Sequence, residues 1–243
     1  MIRVTIWNEN VHDREDDRVK ALYPEGLHGA IRDLLKQDEE LEITLTTLDA
    51  PEHGMPDELL NNTDVLIWWG HVAHADLPWE IADKIADRVH RGMGFIGLHS
   101  AHLSRPFTRL MGTSCSLRWL DDTREHLWCT DPTHPIAKGI PPVFTLEKEE
   151  MYGEFFDIPK PDSVIFTGWF STGNVFRSGC TFSRGHGKVF YFQPGHETNP
   201  TFKNEIVGQI LRNAVRWAAP QKDIIPEIEC PWETEYIEKK YEK

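Results

Sequence analysis

Two short runs limit what this chain can fold into more than any other feature. Asp64–Trp69 and Met93–Leu98 are apolar almost without interruption. A strand with one wet face alternates polar and apolar residues, so runs without alternation must be covered on both faces. Two more β-rich runs accompany them, Ile2–Asn8 and Leu41–Leu48, the latter with Ile43 and Leu45 on one face. Helical patterns lie between. Leu27, Ile31, Leu34 and Leu35 follow Pro24, which suits a first helical turn. A short helix is expected near Asp57–Asn61. Ile81, Ile85 and Val89 follow Asp76 and Pro78, and Gly92 stops that helix. Glu9–Lys20 reads as a polar, acidic loop. Strands alternating with helices predict an α/β fold, a largely parallel sheet with helices on both faces.

The middle of the chain breaks this pattern. Short β-like runs at Ser116–Trp119, His126–Thr130, Val143–Leu146, Ser163–Trp169 and Asn174–Phe182 are separated by turn signals such as Asp131-Pro132 and Ser171-Thr172-Gly173. They predict an antiparallel or mixed extension of the same sheet. Lys188–Phe192 then reads as a core strand. Asn199-Pro200 reads as a helix start, with Phe202, Ile206, Ile210 and Ala214 on one face. Residues 1–218 are expected to form one domain. The polar remainder, 219–243, is a tail whose Ile225, Ile228, Trp232 and Tyr236 call for cover on the domain or on a neighbouring subunit. A homo-oligomer is therefore expected.

Charge narrows the partners. Twenty-six basic against 39 acidic side chains leave a net charge of −13, which repels phosphate backbones. No stretch approaches the roughly 18–20 apolar residues of a membrane span. The N-terminus runs straight into a strand without a signal-peptide layout, so a cytoplasmic location is expected. The cysteines Cys115, Cys129, Cys180 and Cys230 form no CxxC pair and read as reduced thiols.

In open parallel sheets, ligands bind outside the carboxyl ends of the strands. Glu9 and His12 follow the first strand, with Glu25 and His28 in the next helical turn. Trp69, His71 and His74 follow the third strand, and His99 and His102 the fourth. His196 and Glu197 follow the late strand. Eight of the 12 histidines (12, 28, 71, 74, 99, 102, 186 and 196) fall at or near such ends. Imidazole can ligate a metal, move a proton or hydrogen-bond a sugar hydroxyl. The indole of Trp69 could cover the apolar face of a sugar ring. In Glu149–Phe156 the acidic start reads as solvated, while Tyr152 and Glu154 are candidates to reach the site. No nucleotide cofactor is predicted.

These segments resemble known ones. Gly97-Leu98-His99-Ser100-Ala101 resembles the GxCxG nucleophile elbow of class I glutamine amidotransferases, with His99 in place of the cysteine. Trp69-Gly70 resembles their oxyanion loop, and Gln193-Pro194-Gly195-His196-Glu197 is similar to their late His-x-Glu segment. Without the thiol, glutamine hydrolysis through a thioester is excluded. Together with Tyr23–His28 and Asp131–Ile140, the set resembles the ThuA-like trehalose-utilisation family over residues 1–218. That resemblance implies a flavodoxin-like, amidotransferase-like fold. It also implies a role in the catabolism of trehalose and related disaccharides, often as 3-keto sugars.

The expected chemistry is polarisation of a ring ketone and abstraction of the neighbouring proton. Candidate catalytic residues are His99, His196, Glu197 and Glu25, with Glu25 or Glu197 as base. Glu197 is expected just before a helix N-terminus, which favours its ionised form. Candidate substrate-binding residues are His28, Trp69, His102, Tyr152 and Glu154. A divalent metal, zinc favoured, is expected on His71, His99 and His196. As an elbow residue His99 should point at the ligand, so its loss should cost function rather than stability. Two alternatives stay open: a carboxylate-pair glycoside hydrolase using Glu25 and Glu154, and a non-catalytic sugar-binding protein.

Overall fold

The computed structural model describes residues 1–221 and 223–225. One nine-stranded sheet runs through them in the order β2-β1-β3-β4-β9-β8-β7-β5-β6. Five strands form its parallel half: β1 (Ile2–Asn8), β2 (Leu41–Thr47), β3 (Val65–Trp69), β4 (Gly94–Leu98) and β9 (Gly187–Phe192). With β9 as fifth strand, the order 2-1-3-4-5 is that of a flavodoxin-like sheet. The other half is antiparallel: β5 (Arg118–Cys129), β6 (Val143–Gly153), β7 (Ser163–Phe170) and β8 (Val175–Arg184).

The two unbroken apolar runs became β3 and β4, every residue of which is buried. Successive side chains point to opposite faces. Val65, Ile67 and Trp69 pack on one side with α3 (Gly26–Leu35) and α7 (Glu205–Ala218). Leu66 and Trp68 pack on the other with α5 (Trp79–His90) and α6 (Arg105–Met111). Two separate apolar clusters, one per face, hold the sheet.

Three local readings are corrected. The acidic stretch after β1 is not a loop but two short helices, α1 (His12–Glu15) and α2 (Asp17–Leu22). Asp16 caps the second by accepting the N–H of Arg18 at 2.8 Å. The two runs at 116–119 and 126–130 belong to one strand, β5. Register shifts between Leu120 and Glu125 break its alternation, so the sequence reads as two pieces. The last helix starts later than Asn199-Pro200. Pro200–Lys203 make a single 3-10 turn, and Asn204 caps α7 with its side-chain oxygen 2.9 Å from the N–H of Ile206. α4 (Asp57–Asn61) falls where expected.

Ile224 packs on the α5/α6 cluster, and the N–H of Ile225 donates to the carbonyl of Arg91 at 3.0 Å. The expected contacts of Ile228, Trp232 and Tyr236, like Cys230, lie outside the described residues. Among the described residues no helix is long and apolar enough to cross a membrane.

Candidate functional site

The carboxyl ends of β1, β3, β4 and β9 bring their loops to one crevice. Two buried carboxylates hold those loops in place. Glu9, directly after β1, is 1% exposed and accepts the N–H groups of His71, Val72 and Ala73 at 2.8, 2.9 and 2.8 Å. It thereby sets the path of the loop after β3. Glu149, on β6, accepts the N–H groups of Gly195 and His196 at 3.2 Å each. It also accepts the Thr201 hydroxyl at 2.6 Å and the Asn199 amide at 3.3 Å. That carboxylate fixes the loop after β9. The turn itself needs glycine at 195. Its φ is +137°, and a Cβ there would meet the Phe202 ring at 2.7 Å.

With both loops fixed, the side chains converge. His71 Nδ1 lies 3.0 Å from Glu197 Oε2, while His12 Nε2 and His196 Nε2 each lie 3.7 Å from Oε1. The His71 ring centroid is 5.1 Å from that of His12, 5.9 Å from His99 and 5.5 Å from His196. Burial alone would raise the Glu197 pKa. The hydrogen bond from His71 and the surrounding imidazoles outweigh it and hold the carboxyl at about 2. The element that follows Glu197 is the 3-10 turn Pro200–Lys203, and α7 begins only at Glu205. His196 is pushed down to about 4, by burial first and by the charge on His99 second, so it is neutral at pH 7.

His99 occupies the strand-to-turn elbow with φ = +51°, a strained value for a residue with a Cβ. Its side chain does not reach the cleft. It is fully buried, with Nδ1 2.9 Å from the Gln193 carbonyl and Nε2 2.9 Å from Glu150 Oε2. Glu150 approaches off the N–H axis, so the contact is an ion pair rather than an aligned hydrogen bond. Burial lowers the His99 pKa, but Glu150 and then Glu149 override it and lift it to about 9. His99 Nδ1 is bonded to the Gln193 carbonyl and Nε2 faces Glu150, so the expected set of His71, His99 and His196 is not among the groups of ligand atoms that converge. Among the described residues, two other groups bring three ligand atoms within 4.8 Å of one another: His71, Glu150 and His196, and His12, His71 and Glu197.

The cleft has two lobes that share Asp121, Glu150 and His196. The charged lobe, about 290 Å³, is walled by His12, Asp16, Arg18, Asp122, Lys148 and Glu197. The other, about 390 Å³, is walled by Val72, His102, Leu103, Leu117, Trp119 and Tyr152. Tyr152 is buried, with its hydroxyl 3.1 Å from Ser100 Oγ and 3.4 Å from His99 Nε2. His102 donates from Nδ1 to the Cys115 carbonyl at 2.7 Å, and burial drives its pKa down to about 3.

Several candidate residues are elsewhere. Glu25 is 70% exposed and pairs with Arg32 at 2.9 Å. Glu154 is clamped by Arg177 at 2.7 Å and caps the Phe156 N–H at 2.9 Å. Neither lines the cleft, so they cannot act as a hydrolytic pair across a bond held there. His28 accepts from the Asn8 amide at 2.9 Å, outside both lobes. Trp69 is fully buried and donates to the Gly195 carbonyl at 2.9 Å; the indole open to the cleft is Trp119, 62% exposed. His74, spaced HxxH from His71, belongs to neither ligand group.

Glu149 and Glu150, read from sequence as solvated, are 0% and 4% exposed. Adjacent strand residues face opposite sides, so a Glu-Glu pair ahead of Met151-Tyr152 signals that one acid faces inward. Here both do, because loops cover the second face.

The ThuA family model, described as trehalose utilisation, matches residues 3–218. The fold is similar to a ThuA-like protein from Parabacteroides merdae: 16% identity, TM-score 0.67, covering 96% of this chain and 95% of that one. It is also similar to a cytoplasmic protein from Salmonella typhimurium, at 11% identity and TM-score 0.65, covering 90% and 100%. A glutamine amidotransferase from Thermotoga maritima aligns at 11% identity and TM-score 0.52, covering 89% and 97%. No curated protein matches the chain by sequence.

Proposed function

This chain belongs to the ThuA family of trehalose utilisation, and from that premise we propose that it is an enzyme acting on a ring ketone of a disaccharide-class sugar. The observation that carries this reading is the cluster at the junction of the two lobes: His71, His196 and Glu150 within ligand distance of one another. Each is backed by a second partner. Glu197 lies on His71 Nδ1 at 3.0 Å, Thr198 Oγ1 on His196 Nδ1 at 3.0 Å, and His99 on Glu150 at 2.9 Å. Metal-binding imidazoles and carboxylates are oriented by such second contacts. The residues therefore fit a divalent ion, zinc favoured, and bound there it would supply Lewis-acid polarisation of a carbonyl oxygen.

The chain's own groups have separate tasks. Glu197 Oε2 holds the His71 ring through Nδ1, so that Nε2 is the nitrogen free to bind an ion. His196 Nδ1 accepts the Thr198 N–H at 3.3 Å in this structure. Were an ion held by His196 Nε2, the ring proton would sit on Nδ1, where Thr198 Oγ1 would accept it. His99, as imidazolium, balances the buried charge of Glu150. Glu197 Oε1, the oxygen His71 does not use, is the proton acceptor, the role Glu25 cannot fill. A carboxylate held near pKa 2 is a weak base. It takes a proton only from a carbon already acidified by its neighbouring ketone.

The test is metal analysis of tag-free protein combined with NMR of its mixtures with trehalose and 3-keto-trehalose. Stoichiometric zinc, product formation from the keto sugar, and loss of both in His71→Ala and His196→Ala are expected. No bound metal and no zinc-dependent rise in melting temperature would refute the metal. Sugar binding without product would refute the enzyme.

A further inference from the structure

The two lobes of the cleft differ in the chemistry of their walls. One lobe is lined by carboxylates and their partners. The other presents Val72, Leu103 and Trp119, which are 58%, 46% and 62% exposed. These three come from separate segments: the loop after β3, the 3-10 turn after β4 and the start of β5. Exposed apolar side chains that converge from three segments on one concavity mark a binding surface rather than scattered surface residues. Trp119 is placed by register. It pairs across the strands with Tyr152, so the two rings stand side by side on one face of the sheet. Leu117 closes the same wall.

We propose that this lobe is a subsite for an apolar or aromatic aglycone, so that the substrate class is an unsymmetrical glycoside. Its sugar ring sits over Glu197 and His12, and its aglycone lies against Trp119, Leu103 and Val72. The glycosidic linkage then falls at the junction, beside His196 and Glu150, which both lobes share. The inference rests on the reading that the cleft takes a sugar. It differs from that reading in what the second half of the ligand must be.

Calorimetry of the purified full chain with phenyl and methyl glucosides, each as both anomers, and with trehalose tests it. For at least one anomer the phenyl glucoside should bind tenfold or more tighter than its methyl counterpart and tighter than trehalose. In Trp119→Ala and in Leu103→Ser the phenyl-to-methyl affinity ratio should fall toward one. Trp119 and Leu103 are exposed, so both variants should fold, and circular dichroism checks that they do. Phenyl and methyl glucosides binding alike, or a ratio unchanged in both variants, would overturn the aglycone subsite and leave the carbohydrate reading intact. Failure of every glucoside and of trehalose to bind would overturn both.

Discussion

Glu9 offers the sharpest test of how the site is built. Its buried carboxylate takes three backbone N–H groups, those of His71 and Ala73 on Oε2 and that of Val72 on Oε1. Glu9→Gln preserves shape but replaces one oxygen with an NH2 group. With the amide oxygen in the Oε2 position, the Val72 N–H faces a donor and is left unsatisfied, at about 1–3 kcal/mol. The two surviving bonds change from charge-assisted to neutral, each losing on the order of 1 kcal/mol. The sum is about 3–5 kcal/mol. For a chain of this size that corresponds to a fall in melting temperature of roughly 6–20 °C, at ~2–4 °C per kcal/mol. Scanning calorimetry reads the stability, and zinc titration reads the position of His71. Loosening the loop that carries His71 should weaken zinc by tenfold or more. A Glu9→Gln protein that melts within about 1 °C of wild type and binds zinc equally would refute the claim that this carboxylate sets the loop.

Other outcomes follow from the same geometry. His99→Ala should cost about 3–5 kcal/mol, because it strips Glu150 of its buried counter-charge; a chemical-denaturation curve superimposable on wild type would contradict the ion pair. In metal-free protein, stability should peak near pH 6.5. Above that pH the His99 proton, held with a pKa of about 9, is lost together with its stabilisation as pH rises through 9. Below pH 6.5 the unfolded chain protonates histidines 74, 102 and 196, which the fold keeps neutral with pKa values of about 4, 3 and 4. Their contribution fades as pH falls toward those values, and a melting temperature flat from pH 5 to 9 would count against it. Glu25→Gln should change stability by no more than about 0.5 kcal/mol and leave zinc and turnover alone, since Glu25 is a surface residue; lost turnover would place it back in the site.

The cover over β3 and β4, the helices Leu27–Leu35 and Ile81–Val89, and the switch to an antiparallel half at about residue 115 were legible in the chain itself. The physical reason is that periodicity is local. A strand or helix writes its buried face into neighbouring residues, and unbroken apolar runs leave one arrangement. The elbow at His99 and the loops carrying His71 and His196 were legible too, because strand ends announce where ligands gather. What each side chain does there was decided only by the folded chain. Glu9 meets residues 62–64 positions away, and Glu149 meets residues 46–52 positions away. No local pattern records such partners, yet they made Glu9, which read as a strand-end residue, and Glu149, which read as solvated, into buried loop anchors. Glu25 and Glu154, equally plausible as one-letter symbols, were claimed by Arg32 and Arg177. The role expected of Trp69 fell to Trp119 for the same reason: the Gly195 carbonyl lay within reach of one indole, and the other was left facing the cleft. The charge on His99 belongs to this class as well. Its nearest carboxylate comes from β6, a strand of the antiparallel half, so only the closing of the two halves against each other set its protonation.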